Sequence, residues 1–312
     1  MLRYSADGRT ILFVTAYFAL TLFAWFYAPQ QWYVIVPLIA ALSVLSFLCA
    51  VIVHNTIHCP IFRKKSWNKT FQVILSLTYG HPVSAYVPGH NFSHHRYTQT
   101  EKDNIRTHKA RFRWNLLNQL FFMFLMSGDI LASERRFVAR ARKEKPAWFR
   151  QYIFEAIIVF GGKIALLIIN WKLALLYIVI PHVYAGWGIV STNYWQHDGC
   201  DETHPYNHSR NFTGAWLNWL TFNNGYHGAH HEKPGLHWSL LPKYHQEHIL
   251  PHLHPNLDQK SLFVYLWKTC IYPAKRVDYL GNPVVLMPKT KDADWVADVK
   301  MGVTDTQMGV EA

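Results

Sequence analysis

Four apolar segments restrict the fold of this chain more than any other feature. They fall in two close pairs, residues 10–28 with 31–53 and residues 152–170 with 173–195. A helix needs about 20 apolar residues to cross a bilayer. Because the linker within each pair is very short, each pair is predicted to form a helical hairpin. The sequence therefore predicts an all-α integral membrane protein with four transmembrane helices in two hairpins.

The distribution of charged residues agrees with this arrangement of two hairpins. Charged residues make up 16% of the chain and hydrophobic residues 50%, whereas soluble proteins average about 25% charged residues. Of the 31 Lys and Arg residues, all but Lys163 and Lys172 lie on one side of the hairpins. The positive-inside rule then places both termini, residues 54–151 and residues 196–312 in the cytoplasm. This asymmetry explains the net charge of +12 without nucleic acid, for which the chain carries no binding motif.

The remaining residues are predicted to form a cytosolic helical cap. Two stretches, 71–87 and 114–131, are apolar but contain polar residues, and we interpret both as interfacial or partly inserted helices. A full crossing by either would carry a basic run to the outer side. Residues 1–280 thus form one membrane domain with its cap in 54–151 and 196–280, and the sequence predicts an amphipathic helix over 260–272 in that cap. Residues 281–312 are expected to form a loosely held polar tail.

Histidines are grouped in four places on the predicted cytoplasmic side. The groups are HNTIH (54–58), HNFSHH (90–95), NYWQH (193–197) and HGAHH (227–231). Nine imidazoles at one membrane face are too many for one structural ion, which takes four ligands, and about right for two. Imidazole suits Zn, Cu, Fe and Ni, so the residues alone leave the metal open. Two redox-active ions at the mouth of a bilayer would suit oxygen chemistry on a lipid-like substrate. The nine candidate ligands are His54, His58, His90, His94, His95, His197, His227, His230 and His231.

These histidine groups resemble those of the membrane fatty acid desaturase and hydroxylase superfamily, over roughly residues 30–245. The resemblance implies a di-iron site, in which the nine histidines bind two non-haem irons between the transmembrane helices and the cap. O2 is the implied co-substrate, and the implied reaction is desaturation of a fatty-acyl chain in a lipid. NYWQH looks like the NxxxH element of acyl desaturases, in which Asn193 would hold a metal-bound water or support a ligand.

Two other functions compete with desaturation. A hydroxylase or ketolase of the same superfamily would act on an alkane, a fatty acyl group or a carotenoid. The NxxxH element and the HxxxH spacing of the first group favour desaturation over these. A metal transporter, the more remote alternative, would place its ligands near the bilayer midplane rather than at one face.

Electrons must come from an external donor, because the sequence has no flavin, iron–sulfur or cytochrome b5 signature. A ferredoxin- or cytochrome b5-type protein is expected. The basic residues at Arg63–Lys65 and Arg106–Arg113 either dock it or anchor the chain at the membrane surface. Because neither a fused electron carrier nor an ER-retrieval signal is recognisable, a bacterial inner membrane is expected; in a eukaryote the membrane would be that of the ER.

A few further residues are candidates for smaller roles. His182, Trp187, Tyr86 and Trp195 are candidates for lining a substrate channel. His182 stands out because it is an ionisable group within a predicted span. Asp103 and Arg106 are expected to form a structural ion pair.

Overall fold

The computed structural model describes residues 1–301, and the predicted all-α membrane fold is confirmed. The chain forms two compact units. Unit 1 contains Met1–Pro88, Phe137–Ile189 and the described residues from Lys300, and unit 2 contains Gly89–Arg136 and Val190–Val299.

Unit 1 begins with two long apolar helices. Helix α1 (Asp7–Tyr27) ends at Ala28, which takes the left-handed conformation with φ of 41°. Helix α2 (Trp32–His58) runs past the predicted end of its span and so carries His54 and His58 on its last turns. Both helices pack against α3 (Lys65–Tyr79), which is followed by the short α4 (Val83–Val87).

The second apolar pair is a single helical stretch, Pro146–His197, that is interrupted at Asn170. Asn170 has φ of −155° and ψ of 93°, and its side-chain oxygen accepts a hydrogen bond from the Leu173 N–H at 3.2 Å, as an N-cap does. Lys163 before this break donates to the Gly80 carbonyl at 2.6 Å, and the ring of His182 after it lies against Gly80. The stretch therefore folds back at the predicted turn. It comprises α7 (Pro146–Ala156), a π-helical turn (Ile157–Gly161), α8 (Gly162–Ala174), a second π-helical turn (Leu175–Val179) and α9 (Ile180–His197).

Unit 2 is built from shorter elements around one long helix. That helix, α6 (Asn115–Glu144), belongs to unit 2 as far as Arg136, and it contributes Phe122 and Met126 to a core that also contains Ala110 and Tyr194. Strands β1 (Asn211–Phe212) and β2 (Asp258–Gln259) pair in parallel. The other helices are α5 (His95–Tyr97), α10 (Ala215–Leu220), α11 (His227–Glu232), α12 (Leu241–Tyr244) and α13 (Leu262–Leu266). Three π-helical segments (Pro88–His94, His245–Ile249, Trp267–Ile271) and five 3₁₀ turns (Thr107–Lys109, Trp238–Leu240, Leu250–His252, Pro255–Leu257, Val296–Asp298) complete the described chain.

The two ambiguous apolar stretches have different outcomes. Residues 71–87 are divided at Gly80 between α3 and α4, so neither helix is long enough to cross a bilayer. Residues 114–131 lie in α6, whose 30 residues are long and apolar enough for a crossing. By length and composition, four helical segments among the described residues are candidate spans: α1, α2, α6 and the Pro146–His197 stretch, whose 52 residues allow a crossing on each side of Asn170.

The expected loose tail is partly wrong. Residues 287–299, which we call the C-terminal strap, pack onto the loop that follows the second histidine group. Trp295 is only 1% exposed, and its indole N–H donates to the side-chain oxygen of Asn104 at 2.9 Å. Lys102 forms an ion pair with Asp298 at 2.5 Å. The polar composition of residues 281–312 suggested a mobile tail, because composition does not reveal contacts with residues nearly 200 positions away in the sequence. Residues 302–312 lie outside the described part of the chain.

Candidate metal centre

A π-helical turn shapes the second histidine group. Residues Pro88–His94 form this turn, which leads directly into α5. In an α-helix, 3.6 residues complete one turn, so residues five apart point in well-separated directions. The i→i+5 repeat of a π-helix brings such residues together. His90 and His95 accordingly approach each other, with their Nε2 atoms 3.0 Å apart.

The histidine doublets are divided between two sets within unit 2. One set, here the four-histidine set, contains His94, His197, His227 and His231. The other, the three-histidine set, contains His90, His95 and His230. His94 and His95 are neighbours in sequence but belong to different sets, as do His230 and His231. Successive residues of a helix project about 100° apart, which explains why one doublet can serve both sets.

The four-histidine set is compact. One ring nitrogen from each member lies within 4.8 Å of those of the others. The Nε2 atoms of His197 and His227 are 2.9 Å apart. The ring centroids of His94 and His231 lie 5.0 Å apart, with the ring planes at 89°. Helices α9 and α11 and the end of the π-helical turn each supply members of this set.

The three-histidine set lies beside it. His95 Nε2 is 3.0 Å from the Nε2 atoms of both His90 and His230. The rings of His95 and His231, which belong to different sets, stack with centroids 4.4 Å apart. The two sets therefore offer neighbouring positions for two ions.

The remaining two predicted ligands lie on unit 1. His54 and His58 occupy the last turns of α2, with ring centroids 5.5 Å apart and ring planes at 74°. Their i, i+4 spacing places both rings on one face of the helix, as the sequence predicted.

Hydrogen bonds orient two members of the four-histidine set. His94 Nδ1 donates to the Asp103 carboxylate at 3.0 Å, and this oxygen also accepts the Gln99 N–H at 2.8 Å. His197 Nδ1 donates to the backbone carbonyl of His208 at 3.0 Å. Such partners fix the tautomer so that Nε2 is left to bind a metal. The expected Asp103–Arg106 ion pair is therefore wrong, because Asp103 pairs with His94 while Arg106 pairs with Asp292 at 3.1 Å.

Burial disfavours the charged form of two imidazoles in this region, His231 and His208. Burial, together with the neighbouring imidazoles of its set, holds the pKa of His231 well below its usual value. Burial also lowers the pKa of His208 to about 4. For Asp103, burial acts to raise the pKa, but His94 and two backbone N–H donors outweigh it and the pKa is lowered. The lowered pKa of His231 favours the neutral imidazole that metal binding needs.

The donors present fit metal ions. Two nitrogen ligands about 2.1 Å from one ion and at right angles to each other lie about 3.0 Å apart. The Nε2–Nε2 distances of 2.9 Å and 3.0 Å match this spacing. The Nε2 atoms of His94 and His231 are buried and have no hydrogen-bond partner among the described residues. A buried, unbonded lone pair is costly unless an ion or water occupies the site.

Comparison with known proteins then decides the family. A family model described as fatty acid desaturase matches residues 30–259, which is most of the chain and includes every histidine of both sets.

The chain belongs to the fatty acid desaturase family.

One distant relative of this chain has a curated description. It is the sphingolipid delta(4)-desaturase DES1 of Drosophila melanogaster, which is 28% identical over 194 residues. The match covers 56% of this chain and 53% of the relative, so the similarity spans only about half the length of the curated protein. Together with the four candidate spans, family membership identifies an integral membrane protein of an oxidoreductase family.

Asn193, the tenth candidate in this desaturase-family site, is buried one turn before His197. Its amide nitrogen donates to the Ile105 carbonyl at 2.9 Å. This bond orients the amide group, and the predicted contact with a metal-bound water remains a prediction.

The four predicted channel residues have aromatic or polar neighbours within their own units. In unit 1, the Tyr17 hydroxyl meets His182 Nε2 at 2.9 Å, Tyr86 packs edge-on against Tyr79, and Trp187 packs against Tyr184. In unit 2, Trp195 packs against the core that contains Phe122. A channel through these residues stays a prediction.

Sequence reasoning missed two functional contacts of this desaturase-family site. His208 was not considered, yet its carbonyl holds His197 and its ring lies 5.4 Å from that of His231. Asp103 was assigned to Arg106 instead of His94. No helical periodicity links a histidine to a carboxylate nine residues later. Only the burial of Asp103 in this loop, which the sequence does not reveal, indicates the contact.

Proposed function

We propose that this protein is a membrane desaturase that introduces a double bond into the hydrocarbon chain of a lipid. The observation that carries the proposal is the convergence of seven histidines in two adjacent sets, within a chain of the desaturase family. The description of the relative as a sphingolipid desaturase favours a lipid-linked chain over a free alkane. The proposed reaction converts –CH2–CH2– and O2, with two electrons and two protons, into –CH=CH– and two waters.

Two non-haem irons are the metals we propose for these sets. The four-histidine set would hold one and the three-histidine set the other, and on family resemblance His54 and His58 would complete the ligands. When bound, the irons would supply the activation of O2 needed to break an unactivated C–H bond. Asp103 and the His208 carbonyl would hold the Nδ1 protons of His94 and His197, so that each Nε2 lone pair is directed at a metal.

Asn193 would hold a water by its side-chain oxygen, since its nitrogen is occupied by Ile105. The electrons would come from a ferredoxin- or cytochrome b5-type donor, and the two protons would come from solvent. Residues Arg63–Lys65 are exposed and are the preferred docking site. Arg106 and Lys109 are less suitable, because both already bind Asp292 of the C-terminal strap. The distribution of Lys and Arg supports termini and histidines on the cytoplasmic side.

Lipid profiling of a host that expresses the chain tests the reaction. We expect a lipid that is lighter by two hydrogens and appears only with the intact protein. A lipid heavier by one oxygen would show hydroxylation instead, the alternative within the superfamily. His94→Ala and His230→Ala should reduce product to background and lower bound iron, while His248→Ala, at an exposed histidine, should change neither.

Metal analysis of the purified protein tests the cofactor separately. We expect close to two irons per chain after growth with ample iron. Stoichiometric zinc without iron under those conditions would contradict the di-iron proposal, whatever the lipid profile shows.

A further inference from the structure

Unit 2 contains a large cavity that is distinct from the histidine sets. Its volume is about 1020 Å³, and none of the nine predicted ligands lines it. The loop over residues 99–111 forms one side, α6 forms another with Leu125 and Asp129, and residues 287–292 of the C-terminal strap complete it. Sites for small organic ligands span about 300–1,000 Å³, so this cavity is large enough for one.

The charges around the cavity favour an anion. Four acidic and six basic side chains line the cavity, so the lining carries two excess positive charges. The basic residues are Arg106, Lys109, Arg111, Arg136, Lys289 and Lys291. Asp292 pairs with both Arg106 and Lys109, and Lys109 also pairs with Asp129 at 2.6 Å. Lys289 and Lys291 are exposed at the strap.

Buried donors in the lining lack partners. Gln99 and Arg106 are 6% and 7% exposed, yet Gln99 Nε2 and Arg106 Nε have no hydrogen-bond partner among the described residues. Gln99 Oε1 accepts from both the N–H and the hydroxyl of Thr107, at 2.7 Å and 2.9 Å, which fixes the amide so that its nitrogen is the unused atom. A buried donor without an acceptor is costly, and natural proteins usually supply one. His108 Nδ1 is a third unpartnered nitrogen in this lining.

We propose that this cavity binds a phosphate group. A phosphate monoester carries up to two negative charges and several acceptor oxygens, which match the excess charge and the unused donors. The site lies beyond the proposed desaturation chemistry and does not depend on it. The phosphate could belong to a lipid headgroup or to a soluble molecule, since both present the same oxygens.

The cavity is connected to the metal centre through one residue. The backbone N–H of Gln99 donates to the same Asp103 oxygen that binds His94, while the Gln99 side chain lines the cavity. A ligand that engages Gln99 would therefore fix the loop that orients His94.

Binding to the purified full chain in detergent micelles tests the site. The probes are inorganic phosphate, short-chain phosphatidic acid and, as the phosphate-free control, the matching short-chain diacylglycerol, each measured by titration calorimetry. We expect saturable binding of the two phosphate compounds and none of diacylglycerol. If phosphatidic acid binds at least about tenfold more tightly than inorganic phosphate, the ligand is a lipid headgroup. If the two affinities are equal, the ligand is a soluble phosphate. Either result supports the site.

Two variants locate the binding. Gln99→Glu keeps the acceptor for Thr107 but replaces the unused donor with a carboxylate, and the double variant Lys289→Gln/Lys291→Gln removes the excess charge. Each should weaken phosphate binding by about tenfold or more, as loss of charge-assisted hydrogen bonds does. The matched control Lys233→Gln/Lys275→Gln removes two exposed lysines outside the lining and should leave binding unchanged.

The same measurements can overturn the proposal. It is wrong if neither phosphate compound binds saturably, or if the control pair weakens binding as much as the lining pair. Because Lys289 and Lys291 are exposed, their double variant should fold even where Gln99→Glu does not, and it decides the question alone in that case.

Discussion

The two units accommodate buried ionisable groups in different ways. In unit 1, the carboxylate of Glu155 is fully buried and accepts from the Ser84 N–H at 2.8 Å and from Gln151 at 2.8 Å. Lys163 likewise donates to a backbone carbonyl. These partners are neutral. In unit 2, the carboxylate of Asp198 meets the guanidinium of Arg276, and Asp292 meets Arg106 and Lys109.

Most of the candidate spans, namely α1, α2 and the greater part of Pro146–His197, belong to unit 1. Unit 1 exposes large apolar side chains along its candidate spans, with Phe26 and Ile168 each 80% exposed. Such residues are suited to lipid. In that environment, satisfying a polar group with a neutral hydrogen bond costs less free energy than burying an ion pair. Unit 2, which contains the two histidine sets, instead buries ion pairs. Removal of a charged partner should therefore create a new unpaired charge in unit 2, whereas removal of a neutral partner in unit 1 removes only one hydrogen bond.

The largest effect is expected at the Arg276–Asp198 pair. Arg276 Nε donates to Asp198 at 2.9 Å, and Asp198 is 4% exposed. Arg276→Met should lower the free energy of unfolding by about 3–5 kcal/mol, since it leaves a buried carboxylate unpaired. Denaturant unfolding in detergent micelles measures this loss. The double variant Arg276→Met/Asp198→Asn should recover part of it, and the comparison of the two units is wrong if it recovers none.

A smaller effect is expected at Asp103, which orients His94. Asp103→Asn keeps the shape but removes the charge, and it should reduce metal affinity or activity by about 10–100-fold. Iron content and product yield measure the two consequences. Glu247→Gln, at an exposed carboxylate, is the matched control and should have no effect. Full activity of Asp103→Asn would show that the contact with His94 is not needed.

The smallest effect is expected in unit 1, at the hydrogen bond between Tyr17 and His182. Tyr17→Phe removes the hydroxyl that meets His182 Nε2 at 2.9 Å. The cost should be about 1 kcal/mol in unfolding free energy, the usual net value of a neutral hydrogen bond. Tyr27→Phe, at an exposed tyrosine of the same helix, should cost less than about 0.5 kcal/mol. A loss at Tyr17 as large as that for Arg276→Met would remove the distinction between the units.

The contrast also explains what could be predicted from the sequence. The apolar helices of unit 1 are determined by hydropathy, which is a local property of the sequence. The fold class and the turn at Asn170 could therefore be predicted. The histidine spacings likewise brought out the family. Unit 2 depends on pairs that lie far apart in the chain, such as Trp295 with Asn104 and Arg276 with Asp198. No local periodicity indicates such pairs, which is why the docking of the C-terminal strap and the partner of Asp103 were assigned wrongly.

The division of the histidine doublets has a mechanical consequence. His94 and His95 are joined by one peptide unit, as are His230 and His231, and consecutive Cα atoms are about 3.8 Å apart across a trans peptide whatever the values of φ and ψ. The two sets are thus tied together twice by covalent bonds. A shift of α11 or of the π-helical turn therefore moves members of both sets together, which would limit changes in the spacing between two bound ions.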